Sequence, residues 1–127
     1  MKVKRSTLVK NLDTVFSQYI RLRYAKDEIA ECYTCGKKDH YKKQQAGHFA
    51  SRRHYSTRWN ELNVQVQCYS CNIGQQGLQF EFGKRLNKDY GKDTAEELLI
   101  ESKKAVKYTD VDLQDMIKHY KEKLSFL

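Results

Sequence analysis

The chain has 127 residues and a mass of 15.1 kDa, which suit a single domain over residues 1–127. Its mean hydropathy of −0.85, its 31% of charged residues and its lack of proline exclude a membrane-spanning or linker-rich chain. The basic N-terminus lacks the apolar segment of a secretory signal, so we expect a compact protein in the cytoplasm.

The net charge of +8 is concentrated near the cysteines. Residues 32–78 are strongly basic, whereas residues 79–127 carry equal numbers of acidic and basic side chains. A basic segment of this kind suits a polyanion, most simply the phosphates of nucleic acid. A generic basic surface without a nucleic-acid partner is the alternative interpretation.

The N-terminal segment, residues 1–31, is predicted to be helical. Apolar residues recur at helical spacing from Ser6 to about Ile29, with Ser6 or Thr7 as the capping residue. The apolar face of this helix is larger than the segment behind it can obviously cover, so the helix is the candidate interface of a homodimer. Ordinary packing on the C-terminal helices is the alternative, which we favour for most of that face.

Residues 32–78 mix cysteine, glycine, aromatic and polar residues, with short alternating stretches such as residues 63–67. This pattern predicts short strands and loops that a hydrophobic core alone would not hold together. Residues 79–127 are predicted to form a helical tail. The first helix begins at Leu78 and has Gly91 as its C-cap. The second begins at Asp93 or Thr94. The third begins at Thr109, whose pattern with Asp112 resembles a capping box. The apolar faces predicted for the second and third helices are Ala95, Leu98, Leu99 and Val106, and Val111, Leu113, Met116, Ile117, Tyr120 and Leu124.

All four cysteines fall in two C-x2-C pairs, Cys32 with Cys35 and Cys68 with Cys71. Two intervening residues let both thiolates of a tight turn bind one tetrahedral ion, and two such pairs complete a closed zinc site. Gly36 suits the turn, since glycine tolerates positive φ. A redox C-x-x-C motif and two unrelated buried pairs are the alternatives, but redox chemistry needs only one pair. We therefore predict a structural zinc ion that stabilises this segment and takes no part in catalysis.

The segment between the cysteine pairs contains the run Gln45-Ala46-Gly47-His48-Phe49-Ala50-Ser51-Arg52-Arg53-His54, followed by Arg58-Trp59-Asn60-Glu61-Leu62-Asn63. Asn72 directly follows the last cysteine. In this order the motifs resemble the HNH, or His-Me finger, nucleases, and most closely the phage lambda NinG recombination endonuclease family. The likeness runs from about Cys32 to Gln79. It implies an α+β fold in which a zinc-stabilised ββα-metal (HNH) finger, residues 32–78, is flanked by an N-terminal helix and C-terminal helices.

The resemblance also implies a chemistry, namely a metal-dependent DNA endonuclease that hydrolyses phosphodiester bonds in branched recombination intermediates such as Holliday junctions and D-loops. His48 matches the family's general base, and an imidazole has a pKa near the working pH. Asn63 matches the residue that holds the loop and orients the histidine. Asn72 matches a ligand of the catalytic Mg²⁺ or Mn²⁺, and an N-cap role is its alternative.

One position departs from the common HNH pattern. Many HNH fingers carry an aspartate directly before the base, and its carboxylate binds the metal, but here that position is Gly47. Another oxygen donor is therefore needed. The candidates are Gln45, Asp39, Glu61, the DNA phosphate and water, all of which are hard ligands.

The DNA-binding candidates are basic residues near His48 and the first cysteine pair, namely Arg52, Arg53, Arg58, Lys42 and Lys43. Arg53 or Arg58 is expected to contact the scissile or a neighbouring phosphate, because the guanidinium fork suits phosphate. Cutting both strands of a junction symmetrically needs two active sites, so we expect a homodimer. The alternatives are an HNH nicking nuclease acting on ordinary duplex DNA and a non-catalytic zinc module that binds DNA.

Overall fold

The computed structural model describes residues 2–127. Helices and short strands follow one another in the order α1 (Arg5–Leu22), β1 (Ile29–Glu31), β2 (Lys38–His40), β3 (Gln45–His48), α2 (Tyr55–Arg58), β4 (Val64–Gln67), α3 (Gln79–Tyr90), α4 (Thr94–Ser102) and α5 (Asp110–Ser125). A 3-10 turn, Tyr41–Lys43, precedes β3, and a π-helical turn, Ser70–Gly74, follows β4. The fold is mixed α+β with small sheets, as predicted. No helix in the described part of the chain is long and apolar enough to cross a lipid bilayer.

The hairpin of β3 and β4 presents two chemically different faces. The strands are antiparallel, with His48 opposite Val64 and Gln45 opposite Gln67. Side chains alternate along a strand, and paired residues share a face. The face that we call the helix face carries Ala46, His48, Val64 and Val66, and the face that we call the amide face carries Gln45, Gly47, Gln65 and Gln67. A second two-stranded ladder, β1 with β2, pairs Ala30 with Asp39 and leads directly into Cys32.

The main core lies between α1, α5 and the helix face of the hairpin. Its buried members are Leu8, Leu12, Val15, Phe16, Ile20, Trp59, Val64, Leu113 and Tyr120. The ring of Phe16 meets that of Tyr120 edge-on, with centroids 4.9 Å apart. Helix α5 therefore covers the apolar face of α1 within the same chain. This is the ordinary packing favoured for that face, and it removes the excess of apolar surface that suggested a dimer interface there.

Helix α1 is shorter than its apolar spacing predicted. It ends at Leu22 instead of near Ile29. Asp27 and Glu28 follow in a turn with positive φ angles of 50° and 65°, which redirects the chain into β1. Two adjacent residues in this conformation are incompatible with a right-handed helix.

The capping prediction is wrong for α1, at the start of the chain, and is confirmed for α5, at its end. Neither Ser6 nor Thr7 caps α1, because the N-cap position falls on Lys4, whose side chain makes no capping bond. At α5 the capping box is confirmed. The Thr109 hydroxyl accepts from the Asp112 N–H at 3.0 Å, and the Asp112 carboxylate accepts from the Thr109 N–H at 2.8 Å.

Helices α3 and α4 pack on each other beside the hairpin. The predicted end of α3 at Tyr90 and its C-cap at Gly91 are confirmed. Helix α4 buries Leu98 against α3, but Leu99 and Val106 are 46% and 37% exposed. A helix turns by about 100° per residue, so Leu99 faces away from the contact, and Val106 lies beyond the end of α4. The apolar face predicted for this helix was therefore too wide.

Truncating the core side of α5 should destabilise the fold far more than truncating its outer side. Leu113 is fully buried, whereas Val111, which the sequence placed on the same apolar face, is 62% exposed. We expect Leu113→Ala to lower the free energy of unfolding by about 2–5 kcal/mol. We expect Val111→Ala to change it by less than about 0.5 kcal/mol. Urea denaturation of the zinc-loaded variants measures both, and equal losses would contradict this assignment of the core.

Candidate functional site

The two cysteine pairs meet at one point and can bind a structural zinc ion. Their four sulfur atoms lie within 4.8 Å of one another, and the Sγ atoms of Cys35 and Cys68 are 3.7 Å apart. Zn–S bonds of about 2.3 Å at tetrahedral angles place sulfurs roughly 3.8 Å apart, whereas a disulfide needs about 2.05 Å. Gly36 has a φ angle of +81°, and its N–H donates to the Cys32 carbonyl at 2.9 Å. The predicted turn after the first pair is therefore present.

Thr34 and the surrounding backbone prepare the cluster for a cation. Burial acts to raise the pKa of Cys32, but the hydrogen bond from the Thr34 hydroxyl and those from nearby backbone N–H groups outweigh it and lower the pKa to about 6. Burial raises the pKa of Cys71 to about 12. Without a metal the cluster thus retains thiol protons, and a bound zinc ion would displace them.

His48 ends β3 on the helix face, and its ring is fixed by one backbone contact. Its Nε2 lies 3.0 Å from the carbonyl oxygen of Arg58. Since a carbonyl only accepts, Nε2 carries the proton and Nδ1 keeps the lone pair of the neutral ring. No hydrogen bond to Nδ1 is present within residues 2–127. Burial is the main reason that the pKa of His48 is lowered, and the positive charges of Arg52 and Arg58 add to the shift. The imidazole is therefore neutral at pH 7 and can accept a proton.

Asp13 of α1 is the residue of this site that the sequence did not reveal. Its carboxylate accepts hydrogen bonds from Arg58 Nε at 3.0 Å, from Arg52 at 3.1 Å and from Trp59 Nε1 at 3.0 Å. Burial acts to raise the pKa of Asp13, but the hydrogen bonds and charges of these partners outweigh it, so the pKa is lowered. A cavity of about 100 Å³ opens here and is lined by Asp13, Phe16, Ser17, Ala46, His48 and Arg52. Asp13 is the only acidic residue in α1, which is the one signal that could have drawn attention to it.

Asn63 holds the loop between β3 and α2 and makes no hydrogen bond to the imidazole. It is fully buried. Its Nδ2 donates to the carbonyls of Ala50 and Thr57, each at 3.1 Å, and its Oδ1 accepts from the Ala50 N–H at 2.7 Å. Thr57 directly precedes Arg58, whose carbonyl binds His48. Asn63 therefore acts on the histidine indirectly, through the loop that it fixes.

Asn72 lies on the other side of the hairpin from the His48 ring. Its Nδ2 donates to Gln45 Oε1 at 2.7 Å, and Gln45 belongs to the amide face. Asn72 is an interior residue of the π-helical turn, and α3 has Leu78 at its N-cap position. The alternative N-cap role for Asn72 is therefore wrong. The structure brings Asn72 together with Gln45, while the imidazole points to the opposite face.

Of the oxygen donors suggested by the sequence, Gln45 is the one whose position fits a cation beside Asn72. Glu61 instead accepts from Tyr120 at 3.0 Å and from Lys123 at 3.2 Å, next to α5. Asp39 accepts from the His40 N–H at 2.8 Å in the other ladder. The fit is supported by Gln67, whose buried Oε1 on the amide face has no hydrogen-bond partner in the described chain. Amide oxygens of this kind are hard donors that suit Mg²⁺ or Mn²⁺.

The basic candidates differ in how freely they can reach a phosphate. The Arg58 side chain is 13% exposed and is committed to Asp13 and to the Arg52 carbonyl, which it binds at 3.0 Å. Arg52 pairs with Asp13 from the surface. The exposed side chains of Arg53, Lys42 and Lys43 make no ion pair within residues 2–127. Arg58 is therefore committed to contacts within the site, whereas the side chains of the other four are exposed.

Comparison with known proteins places the chain in a family. The model of the family described as "Bacteriophage Lambda NinG protein" matches residues 1–127, the whole chain. A search of curated proteins and a search of solved structures found no match.

Disrupting the cysteine cluster should cost both zinc and stability. We expect the purified chain to contain one zinc ion and Cys71→Ser to contain less, with a free energy of unfolding lower by several kcal/mol, because zinc binding contributes directly to folding. Ser70→Ala, at the exposed neighbouring position, is the matched control and should keep both. Elemental analysis and thermal melting measure the two quantities. A Cys71→Ser variant that melts like the wild type would contradict the structural zinc.

Proposed function

Because the chain belongs to the bacteriophage lambda NinG family, we propose that it is an HNH-type, metal-dependent DNA endonuclease. Its substrates would be branched intermediates of phage recombination, such as Holliday junctions and D-loops, in the cytoplasm of the bacterial host. The observation that carries the proposal is the setting of His48. A neutral, largely buried imidazole is fixed through Nε2 by the Arg58 carbonyl and lines a small cavity with Asp13 and Arg52.

In this proposal His48 is the general base of phosphodiester hydrolysis. Nδ1 takes a proton from the water molecule that attacks the phosphorus atom. The new P–O bond replaces the bond from phosphorus to the leaving sugar oxygen, which takes up a proton from solvent. The bond from Nε2 to the Arg58 carbonyl keeps the ring in the correct orientation, and it strengthens when the ring becomes positively charged. The lowered pKa of His48 keeps the ring unprotonated before the reaction. Asn63 contributes by fixing the loop that carries Arg58.

In this proposal Arg58 positions His48, and the other two arginines bind DNA. Asp13 pairs with Arg58 and so fixes the segment whose carbonyl holds His48. Arg52 is 63% exposed at its side chain, so it could exchange the Asp13 carboxylate for a DNA phosphate. Arg53, Lys42 and Lys43 would supply affinity for the backbone that does not depend on sequence. This differs from the expectation that Arg58 itself contacts a phosphate.

A divalent cation would be held on the amide face by Gln45 and Asn72. When bound, Mg²⁺ or Mn²⁺ would offset the negative charge that develops on the phosphate oxygens. His48 lies on the opposite face, three residues along β3 from Gln45, so one phosphodiester would have to pass around the edge of the hairpin to meet both.

A homodimer is proposed because symmetric cutting of a four-way junction needs two active sites. Since α5 covers the apolar face of α1, the dimer would have to use another surface. Sedimentation of the zinc-loaded chain with and without junction DNA tests this. We expect a dimer in at least the DNA complex, and a single chain per junction would remove the claim.

A non-catalytic zinc module that binds DNA is the second candidate, and Gly47 is the observation that favours it. Without a carboxylate before the histidine, the cation site lacks the charged ligand that most HNH fingers have. This candidate predicts junction binding that does not respond to Mg²⁺ or Mn²⁺, and no cleavage product at any metal concentration.

Replacing His48 should abolish cleavage without affecting zinc. We expect the wild type to cut a labelled four-way junction in Mg²⁺ or Mn²⁺, and His48→Ala to cut it at least about 100-fold more slowly. His119→Ala, at an exposed position on α5, is the matched control and should cut normally. Zinc content is equalised before the comparison.

The outcomes of this assay separate the candidates. Junction binding without cleavage by the wild type would favour the non-catalytic module. Equal cleavage of the junction and of a linear duplex with the same sequence would favour the nicking nuclease and remove the preference for branches.

The pH dependence of cleavage should report the environment of His48. Because its pKa is lowered, cleavage should rise with pH through a midpoint below 6.5, the ordinary value for histidine. Arg52→Gln removes a positive charge that lowers this pKa, so it should move the midpoint upward. The pH dependence of single-turnover rates well below saturating junction concentration measures the midpoint for the free protein, to which this pKa applies. A midpoint that moves downward would contradict the role given to His48.

A further inference from the structure

Gly47 is required because another side chain occupies the space where its own would lie. A Cβ atom built on Gly47 would overlap Gln67 Oε1. Gly47 does not have a positive φ angle, so its backbone conformation would accept any residue. Gln67, which is fully buried, is therefore what excludes a side chain at this position, including the aspartate that many HNH fingers carry there.

The orientation of the Gln67 amide is fixed by its neighbours. Its nitrogen lies 2.9 Å from the Gly77 carbonyl and 3.1 Å from the Thr34 hydroxyl. A carbonyl can only accept, so the group facing Gly77 must be the NH₂. The oxygen consequently faces Gly47, where it is buried without a hydrogen-bond partner in the described chain. A buried polar atom without a partner calls for an explanation, and an unseen ion or water is one.

Two further amides lie on the same side of the hairpin. Gln45 is directly opposite Gln67 in the ladder, and Asn72 donates to Gln45 at 2.7 Å. Three side-chain amides, those of Gln45, Gln67 and Asn72, thus lie on the same side of the hairpin. Their oxygens are hard and neutral, which suits a divalent cation that completes its coordination with phosphate and water.

From these contacts we infer that Gln67 takes the place of the missing carboxylate and binds the divalent cation through Oε1, together with Gln45 and Asn72. The inference rests on the proposed function, because it concerns the same cation. A site made of neutral ligands binds the cation weakly on its own and more tightly when a DNA phosphate contributes charge. By linkage, the cation must then raise the affinity for DNA by the same factor.

The test uses zinc-loaded protein in a His48→Ala background, so that DNA is bound but not cut. Junction affinity is measured by fluorescence anisotropy with and without Mn²⁺, and Mn²⁺ affinity by electron paramagnetic resonance with and without the junction. We expect Mn²⁺ to tighten junction binding by roughly 10-fold. Gln67→Ala should abolish this gain, and Gln45→Ala, at a partly exposed position that is less prone to misfold, should reduce it.

The same assay includes a control and a transplant. Gln65→Ala is the control, because Gln65 lies buried on the same face but has both amide atoms bonded, to Arg23 and to the Leu62 carbonyl. It should keep the effect of Mn²⁺. Gly47→Asp combined with Gln67→Ala should restore that effect and bind Mn²⁺ even without DNA. The single variant Gly47→Asp should bind both Mn²⁺ and the junction poorly, because the new side chain meets Gln67.

The results distinguish this inference from the proposed function. If Gln67→Ala and Gln45→Ala both keep the full effect of Mn²⁺, the inference is wrong and Gln67 holds only a water molecule, even if the wild type cuts junctions. The inference is also wrong if Mn²⁺ does not change the junction affinity of the His48→Ala protein that carries no further substitution. If the effect disappears in Gln67→Ala and returns in the double variant, the cation site stands, whether or not His48 proves to be the base.

Discussion

The cysteine cluster is the constraint on which the rest of the site depends. The two β-ladders contain only two strands each, and an isolated two-stranded hairpin is marginally stable at best. The cluster joins the end of β1, the turn after it, the end of β4 and the π-helical turn through four sulfur atoms. Gln67, next to Cys68, then bonds to Thr34 in the first cysteine turn and to Gly77 after the second. The position of the Gln67 side chain on the amide face thus depends on the two turns that the cysteine cluster holds together.

The features that the sequence predicted well are local ones. The C-x2-C pairs need only a tight turn each, and the box of Thr109 with Asp112 spans one helical turn, so spacing alone is informative. Strand β4, within the alternating residues 63–67, and the end of α3 just before Gly91 likewise follow from alternation and from a single glycine. The mixed α+β fold and a cysteine cluster that can hold zinc could therefore be predicted from the sequence.

The features that the sequence missed depend on residues far apart in the chain. Asp13 meets Arg58 across 45 positions, and no periodicity links an acid on a helix to an arginine in a later loop. Gly47 could be recognised as a departure from the HNH pattern that the sequence resembles, but the Gln67 side chain that fills the space beside it comes from the opposite strand. The early end of α1 depends on two residues with positive φ that are not glycines.

The core described above also limits how this protein can be divided. His48 projects from the same face of the hairpin that packs on α1 through Val64, and α1 in turn is covered by α5. Within residues 32–78 the one buried cluster that belongs to them alone is that of Cys32, Cys68 and Cys71 with Leu78, and the apolar packing of the hairpin depends on α1. A gene fragment encoding just residues 32–78 would lack the α1 side of the cavity at His48, including Asp13. In evolutionary terms we expect this segment to be inherited together with its flanking helices.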